Sequence, residues 1–109
     1  MVVRGEVWLI EMDELDATVG SEIQKTRPCV VISPPELHDH LRTVIVAPMT
    51  TKSRPAPYRV SVVFGQKKGL VLLDQIRTID KTRLVKKLGA VPASTLSVAL
   101  RTLQEVFAA

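Results

Sequence analysis

Three observations predict a mainly β (α+β) fold: a small barrel-like sheet of short, mostly antiparallel strands with one C-terminal helix. Short β-branched runs recur along the chain, each closed by proline, glycine or a polar cluster. One of them, Cys29-Val30-Val31-Ile32, is continuously apolar, as expected of a strand covered on both faces. Only after Pro92 does the apolar spacing change to that of a helix. No internal repeat or linker interrupts the 109 residues, so one domain, 1–109, is expected.

The first strand is expected over residues 6–10, β-branched and aromatic, with Trp8 assigned to packing among apolar neighbours. A loop over 12–26 follows, and connections of that length usually carry function. The second strand is expected over 27–33. Arg27 precedes Pro28, which pushes it into an extended conformation, and Pro34-Pro35 ends the run. Glu36-Leu37-His38-Asp39-His40 reads as a short helical turn with both histidines in solvent.

The third strand, 43–47, is expected to close at Pro48, with the polar cluster Thr50-Thr51-Lys52-Ser53 at its end. Pro55 and Pro57 keep the next connection extended, and residues 58–62 alternate with period two, as a half-exposed strand does. Gly65-Gln66-Lys67-Lys68-Gly69 reads as a turn. Leu70-Val71-Leu72-Leu73 reads as a buried strand running on through Asp74 to Asp80, and Leu84-Val85 as a short last strand before Lys86-Lys87. Pro92 suits the first turn of a helix. Leu96, Ala99, Leu100, Leu103 and Phe107 then fall on one apolar stripe.

Charge is segregated more than it is large. The net charge is +4 and the pI about 9.6. Up to residue 22 the acids are Glu6, Glu11, Asp13, Glu14, Asp16 and Glu22, against Arg4 alone. Between Lys52 and Arg101 the only acids are Asp74 and Asp80, among a long series of lysines and arginines. A basic face of that kind suits a polyanion or an acidic protein tail, and a merely soluble basic surface fits as well. The single cysteine, Cys29, excludes an intrachain disulfide and reads as a small core residue. His38 and His40 have no third ligand pattern nearby, so neither metal nor cofactor is expected. No apolar run approaches the roughly 20 residues of a membrane span. Residues 1–6 lack the apolar core of a signal peptide, so the cytoplasm is expected.

Arg27 stands on a stiff strand end at the mouth of a polar loop. An arginine so placed can grip an anion or simply cap the strand, and spacing leaves both readings open.

Four blocks occur in order: Arg4-Gly5-Glu6-Val7-Trp8, Gly20-Ser21-Glu22 with Arg27-Pro28, Val46-Ala47-Pro48-Met49-Thr50, and Asp74-Gln75-Ile76-Arg77-Thr78-Ile79-Asp80. Together they resemble the MazF/PemK family of toxin endoribonucleases over nearly the whole chain. The resemblance implies an SH3-like barrel that forms a homodimer with RNA-binding grooves near the subunit interface. It implies metal-independent cleavage of single-stranded RNA at short motifs, leaving a 2′,3′-cyclic phosphate and a 5′-hydroxyl. It implies a cognate antitoxin whose tail occupies the groove. By position the family's catalytic arginine falls on Arg27, its catalytic threonine on Thr50 and its loop glutamate on Glu22. Asp74 and Gln75 match a groove-lining pair, and Ser21, Lys25, Thr26, Thr51, Lys52 and Arg77 are expected beside the RNA. Some members carry a histidine just before the arginine; here that position is Thr26, so a mechanism relying on that imidazole is closed to this chain.

The chemistry can be argued independently. In RNA the attacking 2′-hydroxyl is already beside its phosphate, so proximity comes with the substrate. The protein must align that oxygen, stabilise added negative charge and manage two protons. An arginine fork can hold two phosphate oxygens, and a threonine hydroxyl can bond a nonbridging one. Arginine loses its proton only above about pH 12, which makes it a poor base. Glu22 as base and Glu22 as an orienter of Arg27 both stay open. DNA, lacking the attacking hydroxyl, would not be cut. Two rivals remain: a binding module of the same fold, like the related gyrase-poisoning toxins, and a plain nucleic-acid-binding barrel whose affinity falls with salt.

Overall fold

The structure, a computed structural model, describes residues 1–12 and 26–109. The strands are β1 (Glu6–Glu11), β2 (Thr26–Val31), β3 (Thr43–Thr50), β4 (Arg59–Phe64), β5 (Lys67–Leu72), β6 (Arg77–Asp80) and β7 (Leu84–Ala90). The helices are a single turn, α1 (Pro35–His38), and α2 (Ala93–Val106). All described pairings are antiparallel, in the order β4-β5-β3-β2-β1-β7, with β6 also on β3. The sheet curls. Although β4 and β7 lie at opposite ends of that order, a Cβ on Gly89 would stand 3.2 Å from the ring of Phe64.

Burial follows the predicted two-faced pattern. Val30 and Ile32 enter one apolar cluster with Val7, Ala47, Met49, Val62 and Val71, while Cys29 and Val31 enter another with Ile10, Val44, Val46 and Ile79. Alternation along β2 therefore feeds two cores from one strand. Leu96, Ala99, Leu100 and Leu103 of α2 pack against the first cluster, as the stripe predicts. Phe107 does not. It follows the last helical residue and is 71% exposed, because the helix ends before the stripe reaches it.

Other boundaries differ for identifiable reasons. Strand β3 runs through Pro48 to Thr50 instead of stopping at Ala47. On one edge of β3, β6 covers residues up to Val46 and β5 begins at Met49, so the proline's missing N–H falls between ladders. The turn expected over 65–69 is only two residues. Gly65 and Gln66 both have positive φ, 57° and 64°, the type I′ geometry that matches strand twist, and Lys67 already faces Phe64 across the hairpin.

The strand expected to run unbroken from Leu70 to Asp80 is two strands. Val71 lies opposite Met49 and Arg77 opposite Val46, so six steps along one chain face three along the other. The three surplus residues coil into a 3₁₀ turn, Leu73–Gln75. Strand β7 extends to Ala90, past the two lysines taken as its end, because it pairs with β1 along its length. Charged residues are compatible with a strand that has only one neighbour in the sheet order.

His38 is the clearest reversal. Expected in solvent, it is fully buried, while His40 is exposed as read. Its Nε2 lies 2.8 Å from the Val2 carbonyl, which can only accept, so Nε2 carries the proton. Nδ1 then accepts from Ser33 Oγ at 2.9 Å, and that oxygen accepts from Ile45 N–H at 3.1 Å. A buried imidazole with both nitrogens bonded is a structural member, tying residue 2 to α1 and β3.

Candidate functional site

β2 and β3 pair with Cys29 opposite Pro48, and a cavity lies where Arg27 and Thr50 stand. The cavity holds about 440 Å³, within the range of small-ligand sites. Arg27, Thr50, Thr51 and Lys52 line it, four positions singled out from sequence. Met49, Val62, Phe64 and Leu70 supply an apolar wall, and Lys67 adds a third cation. Among the described residues the lining holds three cations and no carboxylate. Such a lining attracts anions and presents an apolar surface beside them.

The Thr50 hydroxyl oxygen accepts the backbone N–H of Lys52 at 3.1 Å. One lone pair is thus occupied and the O–H proton remains free to donate to an oxygen in the cavity. Gly69 of β5 fixes the backbone there. A Cβ at that position would stand 2.6 Å from the Thr50 carbonyl oxygen and 3.6 Å from Thr51 Cγ2. Only a residue without a side chain lets β5 approach the end of β3 this closely.

The other positions singled out are distributed around this centre. Thr26 opens β2 opposite Glu11 and does not line the cavity. Asp74 and Gln75 lie on the 3₁₀ turn, also outside the lining. Asp74 is held by Arg59 in a two-pronged pair, Nε to Oδ1 at 3.2 Å and Nη2 to Oδ2 at 3.1 Å. That hydrogen bond, against a smaller opposing push from burial, keeps the carboxyl below its ordinary value. Arg77 donates from Nε to the Gln75 carbonyl at 3.4 Å. Burial pushes the Cys29 thiol up to about 12, with Arg27 and Arg77 pulling weakly the other way, so the cysteine is a core residue as read. Ser21, Glu22 and Lys25, with most of the loop over 12–26, lie outside the described residues.

Sequence reading missed Lys67, Phe64 and Leu88, which enter the lining through hairpin register and sheet curvature. The Gly65-Gln66 pair was the one usable signal, since a two-residue turn there sets Lys67 against Phe64. No group of three or more His, Cys, Asp or Glu is placed to hold a metal among the described residues. No helix among them is long and apolar enough to cross a membrane.

Comparison with known proteins gives the same direction. The family described as PemK-like, MazF-like toxins of type II toxin–antitoxin systems matches residues 3–107. The chain belongs to this toxin family. Endoribonuclease PemK of Escherichia coli is 37% identical over 109 residues, spanning 94% of this chain and 80% of that protein. The crystal structure of MazF from Deinococcus radiodurans superposes with a TM-score of 0.79 at 22% identity, covering 99% of this chain and 97% of that one. An endoribonuclease from a mycobacterial species, in complex with its cognate antitoxin, superposes at 0.76 with 24% identity over 96% and 93% of the two chains. The curled antiparallel sheet and C-terminal helix of this PemK/MazF-family chain are thus those of the MazF fold, as the sequence blocks implied.

Proposed function

We propose that this PemK/MazF-family toxin is a sequence-specific endoribonuclease that cleaves single-stranded RNA without a metal and is neutralised by a cognate antitoxin. The observation that carries the reading is that Arg27 and Thr50 share one cavity with Lys52 and Lys67 and no acid among its described lining residues. The 2′-oxygen attacks the adjacent phosphorus as the P–O5′ bond breaks, one proton leaving the 2′-hydroxyl and one reaching the 5′-oxygen. The products are a 2′,3′-cyclic phosphate and a 5′-hydroxyl. Arg27 grips the nonbridging oxygens, where charge grows, and Thr50 donates its hydroxyl proton to one of them. Lys52, Thr51 and Lys67 hold the flanking backbone. Glu22 is assigned to the same site, as base or as orienter of Arg27, with Ser21, Lys25, Thr26, Gln75 and Arg77 along the RNA path.

The toxin acts as a homodimer in the cytoplasm, where cutting messenger RNA stops translation and growth. Support for the antitoxin comes from the mycobacterial endoribonuclease, which is found with its own. The test is cleavage of a long single-stranded RNA in EDTA by the purified protein, beside Arg27→Ala. Discrete fragments ending in cyclic phosphate, lost in the variant, are expected. Intact RNA after incubation with a folded wild type would overturn the reading and favour a module that grips a protein target.

A further inference from the structure

We propose that Arg59 and Asp74 form a clasp that positions the connection over 51–58 beside the cavity, a role in RNA recognition exercised without touching the reacting atoms. The inference rests on the nuclease reading above. The Arg59 guanidinium makes every side-chain link: its Nε and Nη2 fork onto Asp74 at 3.2 and 3.1 Å, and Nη1 donates to the Arg54 carbonyl at 3.3 Å. The main chain reinforces it, with Arg59 N–H on the Ala56 carbonyl at 3.0 Å and Leu73 N–H on the Tyr58 carbonyl at 3.2 Å. The 3₁₀ turn that carries Asp74 is thereby joined to the connection that carries Lys52 and Arg54.

That connection is stiff. Pro55 and Pro57 each fix a torsion, so holding residues 54 and 59 constrains what lies between. Its first residues, Thr51 and Lys52, line the cavity, so a change at its far end is carried to the lining. Both carboxylate oxygens of Asp74 face Arg59, which makes Asp74 a positioning residue in this arrangement rather than a free reader of base edges. The Asp74 side chain is 38% exposed and that of Arg59 22%, and ion pairs this open contribute little to stability. The clasp therefore sets geometry without supporting the fold. This separation is what makes it testable.

The experiment compares the full-length wild type with Arg59→Ala, Asp74→Asn, the double variant Arg59→Ala/Asp74→Asn and the reversal Arg59→Asp/Asp74→Arg. The probe is a single-stranded RNA containing several cleavage sites, with thermal melting measured in parallel. Each single variant is expected to raise KM about ten-fold and blur the choice of site, with kcat changed by less than about three-fold. The double variant should be no worse than either single one, the reversal should recover most of the loss, and all should melt close to wild type. Wild-type KM and site choice in Arg59→Ala overturn the clasp. So do losses that simply add in the double variant, because each residue would then act on its own. A wild type that leaves the RNA intact removes the nuclease reading and the clasp with it, whereas a cutting wild type with unaffected variants removes the clasp alone.

Discussion

Two polar clusters of this molecule both contain lysine but use charge for opposite ends. Around Glu6 the charge is closed: one carboxylate oxygen accepts Val3 N–H at 2.8 Å and Trp8 Nε1–H at 3.1 Å, and the other meets Lys87 Nζ at 2.6 Å. Around Arg27 and Thr50 the charge is open, with three cations on the lining and no described acid among them. A buried charge used for structure must be matched, because an unmatched one costs several kcal/mol. On the proposed nuclease reading, the RNA phosphate completes the charge of those cations. The difference lies in how the charges are completed.

The comparison breaks most visibly at Arg27. Arg27→Lys keeps the charge and discards the fork, so RNA cleavage should fall by about 10²–10³ in kcat with the melting temperature nearly unchanged. An equal loss of stability would place Arg27 with the structural cluster instead. Gly69→Ala comes next. It leaves every charge in place but drives a methyl group against the Thr50 carbonyl, and a displacement on the ångström scale should lower kcat by about 10–10². Shifted amide resonances of Thr50 and Thr51 would identify the cause, and a variant with wild-type kcat would refute it.

The closed cluster should respond in the other observable. Glu6→Gln leaves the bonds from Val3 and Trp8 without a carboxylate and Lys87 without its counter-ion, for a loss of about 1–3 kcal/mol in denaturant unfolding. Cleavage per folded molecule should be unchanged. Burial raises the Glu6 pKa, but the bonds from Lys87, Val3 and Trp8 outweigh it and hold the group below its ordinary value. With the folded pKa below the unfolded one, this stabilisation is complete above about pH 4.3 and disappears as pH falls through the folded value. Glu6→Gln should lack that part of the acid sensitivity, which acid titration of both proteins would measure. The smallest effect is expected at Lys67. Lys67→Ala should weaken RNA binding modestly and reduce the salt slope by about one, in a titration of affinity against salt.

Strand existence was legible from sequence where the signal is local. The run Cys29-Val30-Val31-Ile32 declares two buried faces, and a strand with both faces covered lies within the sheet. Arg27 and Thr50 were legible as strand-end residues for the same reason, each beside a proline-marked run. What failed was pairing. Pro48 looks like a stop until the gap between β6 and β5 is known, and the coil at Leu73–Gln75 exists only because two registers on β3 differ by three residues. Leu88 joins the cavity through contacts between distant segments, which no window along the chain contains. His38 was misread because its partners, Val2 and Ser33, lie 36 and 5 residues before it, with no periodic signal.

The pairing of β1 with β7 has a consequence for biosynthesis. On its β7 side Val7 pairs with Gly89, and Leu88 is part of the cavity lining. At roughly 5–20 residues per second, β1 spends about 4–16 s outside or inside the ribosome before β7 has been made. Through that interval the first strand lacks one neighbour and the cavity lacks Leu88. Whatever the finished cavity grips, a nascent fragment still attached to its ribosome does not yet have the complete surface to grip it.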